Sequence, residues 1–314
     1  MPPRLIINAD DFGLTPGINR AILELHHAGV LTSATLMATG PAFADAAALA
    51  LANPTLGVGC HLVFTGGIPV CHPESIPSLL GADGKTFRPS IVDFAQAAIR
   101  GTISPHDIAR EAQAQIQKLQ RAGIDVTHID THKHTHLLPS IARTVFHIAN
   151  RCGVPSIRNP IEPRWSSALA RAPLSRRLQL RLLQRFEPPF LKLTAQARTH
   201  DFIPAGTLGI AACGTLDPPT LRATLDALAA QPSDSHRAYE FCCHPGHQDA
   251  ALDALHTRLR ASREIEYLTL IEVVPQYSRN HAALELIHYG NLGVPGMQRA
   301  SGQFSPSTGY EKVL

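Results

Sequence analysis

Short apolar segments alternate with amphipathic segments along most of this chain of 314 residues, and this alternation restricts the fold more than any other feature. The predicted strands are 5–8, 33–38, 57–62, 126–130, 156–158 and 237–243, and the predicted helices are 15–28, 42–52, 106–122, 138–152 and 220–229. Strands that alternate with helices indicate parallel βαβ units. The number of units and the length predict an α/β fold, a (β/α) barrel with parallel strands and with helices outside, rather than a small doubly wound sheet.

Side chains suited to catalysis or metal binding lie at or just past the predicted strand ends. They are Asp10, Asp11, His61, His132, Arg158 and His244. In parallel barrels the chemistry takes place at the carboxyl ends of the strands, where residues distant in sequence meet. We therefore expect these side chains to share one site.

The segment 128–136, His-Ile-Asp-Thr-His-Lys-His-Thr-His, contains four imidazoles and one carboxylate. Imidazole is the commonest protein ligand for transition metals, and a carboxylate often accompanies it. If a strand ends at Thr131, the alternation of side chains would direct His132, His134 and His136 to one side. The segment predicts a metal-binding edge, and the alternative is a histidine-rich surface loop without a ligand.

Two other segments strengthen the metal hypothesis. One apolar strand runs directly into Asp10 and Asp11, and a glycine-containing apolar run delivers His61. Taken alone, the aspartates are compatible with a helix cap and the histidine with a satisfied core residue. Together with His132 they offer one carboxylate and two imidazoles from separate strand ends, a set of ligands suited to a catalytic divalent cation with open positions.

Composition disfavours some classes of protein and favours one compartment. The apolar fraction of 44% is ample for a buried core, whereas a charged fraction of 17% and a net charge of +3 give little support for nucleic-acid binding. The six cysteines form no CxxC pair, so we expect reduced thiols in a cytoplasmic protein without a signal peptide. No apolar run is long enough to span a bilayer.

Two insertions and a tail interrupt the repeating pattern. We expect one barrel-like domain over 1–275, with insertions near 66–97 and 161–205 that cover the mouth of the site, and an irregular extension over 276–314. Arginines and leucines over 171–185 indicate an amphipathic helix. Its basic side either faces solvent or contacts a membrane surface or an acidic partner.

Four motifs follow one another along the chain. They are Asn-Ala-Asp-Asp-Phe-Gly at 8–13, Gly-Cys-His-Leu at 59–62, the histidine-rich segment 128–136, and Cys-His-Pro-Gly at 243–246. In these motifs and their order, over roughly residues 4–271, the chain resembles the YdjC/ChbG-type carbohydrate deacetylases. Residues 158–163 and the insertion after them are also similar to HpnK, the branch associated with hopanoid biosynthesis. The commonest form of the third motif has Ser where this chain has Thr131, a change that keeps the hydroxyl.

The resemblance implies a metal-dependent deacetylase that hydrolyses the N-acetyl group of an amino sugar in an oligosaccharide or a glycolipid. It implies a barrel related to that of the polysaccharide deacetylases, and a single divalent cation held by Asp11, His61 and His132. Two imidazoles and a carboxylate resemble a catalytic zinc set, whereas the family is often described with magnesium. The identity of the cation, Mg²⁺ or Zn²⁺, therefore stays open on the sequence.

The resemblance also implies the catalytic roles. Asp10 is expected to be the general base, His244 the general acid, and Arg158 the residue that orients the base. His134 and His136 fit the local motif as additional site residues.

Two other functions stay open on the sequence alone. One is a different mononuclear metal hydrolase, such as an amidohydrolase or a phosphoesterase, and the other is a metal- or sugar-binding protein without turnover. The adjacency of Asp10 and Asp11 disfavours a glycosidase, which needs carboxylates on opposite sides of a sugar ring. Trp165, the only tryptophan, either stacks on a sugar ring or packs within its insertion. The sequence leaves the oligomeric state open.

Overall fold

The structure, a computed structural model, describes residues 2–170, 172, 178, 180–181, 183–196, 203–231, 237–255, 257–281 and 284–292. The strands in this part of the chain are β1 (Arg4–Phe12), β2 (Ser33–Leu36), β3 (Gly57–Leu62), β4 (Ile129–Thr131), β5 (Thr207–Leu208), β6 (Ala238–Cys243) and β7 (Glu285–Leu286). The α-helices are α1 (Pro16–His27), α2 (Phe43–Ala52), α3 (Ile91–Ile99), α4 (Pro105–Arg121), α5 (Pro139–Arg151), α6 (Arg164–Ser167), α7 (Glu187–Gln196), α8 (Pro218–Ala229), α9 (Ala250–Ala254) and α10 (Ser262–His281).

The strands form one sheet in the order β4-β3-β2-β1-β6-β5, with β7 also paired to β1, and the pairs are parallel. The sheet is curled into a half-barrel with helices around it. β1, β2 and β3 are buried almost throughout, as expected for parallel strands whose two faces are both covered. The predicted α/β fold with parallel strands and outer helices is therefore confirmed.

The segment 156–161 joins the two edge strands of the half-barrel. On one side, the N–H of Arg158 donates to the carbonyl of Ile129 in β4 at 3.0 Å. On the other side, the N–H of Thr207 in β5 donates to the carbonyl of Ile161 at 3.1 Å. The strand predicted here is reduced to a single parallel bridge to β4. Because the segment crosses between the edges, it carries Arg158 into the interior.

The chain after residue 275 is more regular than predicted. α10 continues to residue 281, and β7 pairs with the start of β1 through Arg4 and Glu285. Tyr289 follows, 1% exposed, with its ring stacked on that of His128 at a centroid distance of 3.6 Å. The prediction of an irregular extension is wrong for 276–281 and 284–292. The first residues of β1 do not pair with β2, and β7 pairs with β1 there. Residues 293–314 lie outside the described residues.

The insertion 66–97 is docked on α4. The carboxylate of Glu111 accepts hydrogen bonds from the N–H groups of Val70 and Cys71, each at 2.9 Å. Leu79 and Phe87 of the insertion are fully buried. Its placement over the mouth of the site stays a prediction.

The insertion 161–205 contains α6 and α7. Within the predicted amphipathic segment 171–185, Leu180 and Leu183 pack against the core, whereas residues 171, 173–177, 179 and 182 lie outside the described residues. Its contact with a membrane stays a prediction. No helix that the structure describes combines the length and apolarity needed to cross a bilayer.

Candidate active site

Asp10 and Asp11 both reach the interior because β1 contains a bulge. Between Ala9 and Phe12 the register against β2 shifts by one residue, and the backbone of Asp11 is left-handed, with φ of 66°. Neighbouring residues of a regular strand point to opposite faces, so a bulge is needed to bring adjacent side chains to one site. A left-handed backbone costs a residue with a Cβ about 1–2 kcal/mol, a strain that is typical of functional positions.

Asp11, His61 and His132 form a compact cluster. Oδ1 of Asp11 lies 3.7 Å from Nε2 of His61 and 3.6 Å from Nδ1 of His132, and these two ring nitrogens are 3.3 Å apart. Nδ1 of His61 is 2.7 Å from Asp130. Donation of the Nδ1 hydrogen to this carboxylate leaves the lone pair on Nε2, the nitrogen that faces the cluster. The structure therefore brings together the three residues that were predicted to bind a metal.

The cluster fits a divalent cation on one further observation. Oδ1 of Asp11 is buried and has no hydrogen-bond partner among the described residues, although buried carboxylate oxygens are normally paired. A cation between Asp11 and the two imidazoles would pair this oxygen.

Arg158 is fully buried and binds three carboxylates. Its Nη1 and Nη2 donate to the two oxygens of Asp10 at 2.9 and 2.6 Å, its Nε donates to Glu240 at 2.9 Å, and its Nη1 also contacts Asp130. Burial opposes ionisation of Asp10, but the guanidinium of Arg158, together with the rings of His61 and His244, outweighs burial and holds the pKa of Asp10 below its usual range. Arg158 thus keeps Asp10 ionised and fixes its orientation, which is the contact expected of a residue that orients a base.

His244 follows β6 and faces the same interior. Its Nε2 lies 3.7 Å from Oδ2 of Asp10, and its Nδ1 lies 3.7 Å from Sγ of Cys213. Burial opposes protonation of the ring, but the Cys213 sulfur and the carboxylates of Asp10 and Glu266 outweigh it and raise the pKa of His244 to about 10. A protonated imidazole beside a carboxylate base is suited to donate a proton.

The histidine-rich segment does not continue as a strand. Residues 132–137 form a 3₁₀ turn, in which Lys133 and His134 have left-handed φ angles of 58° and 53°. The predicted projection of His132, His134 and His136 to one side is therefore wrong. The turn leaves His132 in the cluster and sends the other two imidazoles elsewhere.

His136 and Trp165 occupy positions away from the cluster. The ring of His136 is fully buried, with Nδ1 2.6 Å from Oγ1 of Thr131 and Nε2 3.1 Å from the carbonyl of Arg158, so it braces the backbone of that arginine. Trp165 packs edge-to-face on Tyr239 at a centroid distance of 5.7 Å. Because Tyr239 is adjacent in β6 to the inward-facing Glu240, it points to the outer face of the sheet, and the contact favours a packing role for Trp165.

His134 lines a small, open depression. Its apolar walls come from Ile161, Leu180, Leu183 and Ile210, three of which belong to the second insertion or its start. The second insertion therefore lies on the side of the half-barrel that is closed by segment 156–161, the segment that contains Arg158.

Several residues of the site were not individually assigned a role from the sequence. They are Asp130, Glu240, Arg263, Glu266 and Tyr289. Glu240 had a usable signal, since a carboxylate inside an apolar predicted strand is unusual and requires a partner. Arg263 and Glu266 had none, because charged residues near the start of a helix are ordinary in sequence. The hydroxyl of Tyr289 donates to Glu240 at 2.6 Å, in a region that was predicted to be irregular.

The fold and the site define a class of protein: a parallel α/β half-barrel that combines a cluster fit for one divalent cation with a carboxylate–imidazole pair beside it. The chain belongs to the YdjC-like protein family, which residues 4–276 match.

Comparison with known proteins agrees with this assignment. The chain is 43% identical over 157 residues to a carbohydrate deacetylase of Brevibacillus brevis, covering 50% of this chain and 59% of that relative. It is 38% identical over 177 residues to a chitooligosaccharide deacetylase of Enterobacter sp. strain 638, covering 55% of this chain and 66% of that relative. The matched region thus spans less than two thirds of the length of these relatives. A crystal structure of a protein from Enterococcus faecalis V583, whose name proposes cellobiose-phosphate cleavage, has 25% identity and a TM-score of 0.71 over 92% of this chain and 98% of that chain.

Proposed function

We propose that this protein hydrolyses the N-acetyl group of an amino sugar, in an oligosaccharide or a glycolipid, with one divalent cation held by Asp11, His61 and His132. One observation carries the proposal. The bulge in β1 directs Asp11 to two imidazoles and the adjacent Asp10 to Arg158 and His244, so that a metal cluster and an acid–base pair lie side by side.

The arrangement suits hydrolysis of an unactivated amide. A divalent cation, when bound, polarises a carbonyl and lowers the pKa of water. Asp10, kept ionised and oriented by Arg158, takes the proton of the attacking water. His244, with Nε2 toward Asp10, gives a proton to the departing amine nitrogen.

The sugar part of the proposal rests on the relatives named carbohydrate deacetylase and chitooligosaccharide deacetylase. We propose that the depression beside His134 and the second insertion contact the part of the substrate beyond the acetamide. A glycolipid substrate, the similarity to the hopanoid branch and a cytoplasmic location stay predictions.

Acetate release tests the activity. The metal-stripped protein is incubated with N-acetylated chitooligosaccharides or with an N-acetylhexosamine glycolipid, after addition of Mg²⁺ or Zn²⁺. We expect acetate and a free amine in equal amounts, in the presence of one of the two cations. A protein that binds one ion but releases no acetate from any of these compounds would be a binding protein, and hydrolysis of a phosphate ester in their place would favour another metal hydrolase.

Elemental analysis tests the ligand assignment. We expect one ion per chain in the wild type and its loss in His61→Ala and His132→Ala, because each removes one of two imidazoles from the cluster. His72→Ala is the matched control, since that ring is 76% exposed and lies in the first insertion. Retention of the ion in both cluster variants would refute the assignment.

A further inference from the structure

The start of α10 reaches the site with two buried charged side chains. Arg263 and Glu266 lie three positions apart, on one face of the helix, and each is only 1% exposed. Arg and Glu are almost never fully buried unless they are paired, so each needs a specific partner. Arg263 contacts Asp11 of the metal cluster, and Glu266 contacts the backbone of His244 of the acid–base pair.

Arg263 holds the aspartate of the metal cluster. Its Nη2 lies 2.5 Å from Oδ2 of Asp11, and Oδ1 of the same carboxylate is the oxygen that faces His61 and His132. The guanidinium therefore occupies one carboxylate oxygen and leaves the other for a cation. Gly246 packs closely against Ile18 and this arginine, since a Cβ there would lie 2.8 Å from Cγ1 of Ile18 and 3.1 Å from Cδ of Arg263.

Glu266 holds the histidine of the acid–base pair. Its Oε2 accepts the backbone N–H of His244 at 2.7 Å, and its Oε1 accepts the N–H of Gly214 at 3.2 Å. Oε2 also lies 4.0 Å from Nδ1 of the His244 ring. With both oxygens occupied, this carboxylate fixes the turn from which the ring projects toward Asp10.

We propose that Arg263 and Glu266 are positioning residues through which the N-terminal part of α10 holds the metal ligand Asp11 and the proton donor His244 in register with each other. The inference rests on the proposed function, and it assigns separate consequences to the two residues. Loss of Arg263 acts on metal affinity, because Asp11 is then free to turn. Loss of Glu266 acts on turnover, because only the turn that carries His244 is released.

The experiment measures metal affinity and turnover separately. The dissociation constants of Zn²⁺ and of Mg²⁺ are measured by calorimetry on the stripped full-length chain, and kcat and KM on the deacetylase substrate that the wild type accepts. We expect Arg263→Gln to weaken binding of the ion by roughly 10- to 100-fold, the usual effect of removing a group that orients a metal ligand. Arg263→Lys keeps the charge but not the planar fork, so it should weaken binding by a smaller factor.

Glu266→Gln should leave the metal dissociation constant and KM unchanged and lower kcat, because an amide can accept only one of the two N–H groups. An activated ester, whose leaving group needs no proton, should restore most of the rate of this variant but not that of Arg263→Gln. The controls are Glu264→Gln, on the same turn but bonded to the peripheral His247, and Arg222→Gln, from a surface ion pair. Both controls should match the wild type.

The outcomes distinguish the inference from the proposed function. A wild-type chain that binds neither ion refutes the proposed function itself. A wild type that binds and turns over, with unchanged metal affinity in both Arg263 variants, refutes the role of Arg263 alone. Equal loss of metal affinity in Glu266→Gln and Arg263→Gln refutes the division of labour. Circular dichroism and the melting temperature identify a variant that fails to fold, and if Arg263→Gln does so, Arg263→Lys decides the question.

Discussion

Removal of Arg158 should destabilise the protein strongly and in a manner that depends on pH. Arg158→Met deletes the guanidinium group that contacts three buried carboxylates, those of Asp10, Asp130 and Glu240. Breaking a buried ion pair by removal of one partner typically costs about 3–5 kcal/mol, because the other charge stays buried without compensation. The fold can avoid this cost only if a carboxylate takes up a proton.

The cost of that proton sets the size of the effect. An unfolded Asp has a pKa near 4, so neutralising one at pH 7 spans about three pH units at about 1.4 kcal/mol each, or about 4 kcal/mol. At pH 5 the same neutralisation costs only about 1.4 kcal/mol. In the variant the folded-state pKa of a freed carboxyl is raised above the unfolded value, so its stability falls as pH rises from about 4 toward that raised pKa. The deficit relative to the wild type should therefore be small at pH 5 and large at pH 7.

The assay is urea unfolding followed by circular dichroism at pH 5 and pH 7. A chelator is present throughout, since a bound cation would itself stabilise the fold. The control is Arg222→Met, which breaks an exposed pair with Glu272 and should change the free energy of unfolding by less than about 0.5 kcal/mol at either pH. A deficit below about 1 kcal/mol at pH 7, or one of equal size at both pH values, would refute the reasoning.

Three further predictions concern neighbouring groups. Asp10→Asn should lower kcat by about 10²- to 10⁴-fold with the metal retained, since the amide cannot accept a proton, and near-normal turnover would remove Asp10 from the base role. His244, whose pKa is raised to about 10, should contribute stability that is complete below its ordinary pKa of about 6.5 and is lost as pH rises toward 10. The difference in unfolding free energy between wild type and His244→Gln should therefore shrink over that range, and a constant difference would contradict the assignment. Tyr289→Phe leaves Glu240 without its 2.6 Å donor and should cost about 1–3 kcal/mol in urea unfolding, whereas an unchanged midpoint would mean that the bond contributes nothing.

Local patterns in the sequence were sufficient for the fold class and for placing six candidate site residues at or just past strand ends, whereas the roles of these residues stay predictions. The strand at 57–62 and the helix near 106–122 were predicted within a residue or two, because burial imposes a period of two on strands and 3.6 on helices. The sequence did not reveal the structural role of Gly59 in β3. A Cβ at Gly59 would lie 2.5 Å from the ring of His128, so the glycine allows that imidazole to pack across the strand.

The details of the site depended on contacts between distant parts of the chain. The sequence placed Asp10 and Asp11 at the end of a strand, but only pairing with β2 produces the bulge that brings both into one site. Arg263 is separated from its partner Asp11 in β1 by 252 positions, and Glu266 is separated from its partner Gly214 by 52. No local periodicity marks contacts between residues so far apart. A single sequence determines which residue types are available and which elements they favour. The tertiary structure decides which charged groups meet, because that choice follows from the minimisation of buried, unpaired charge over the whole fold.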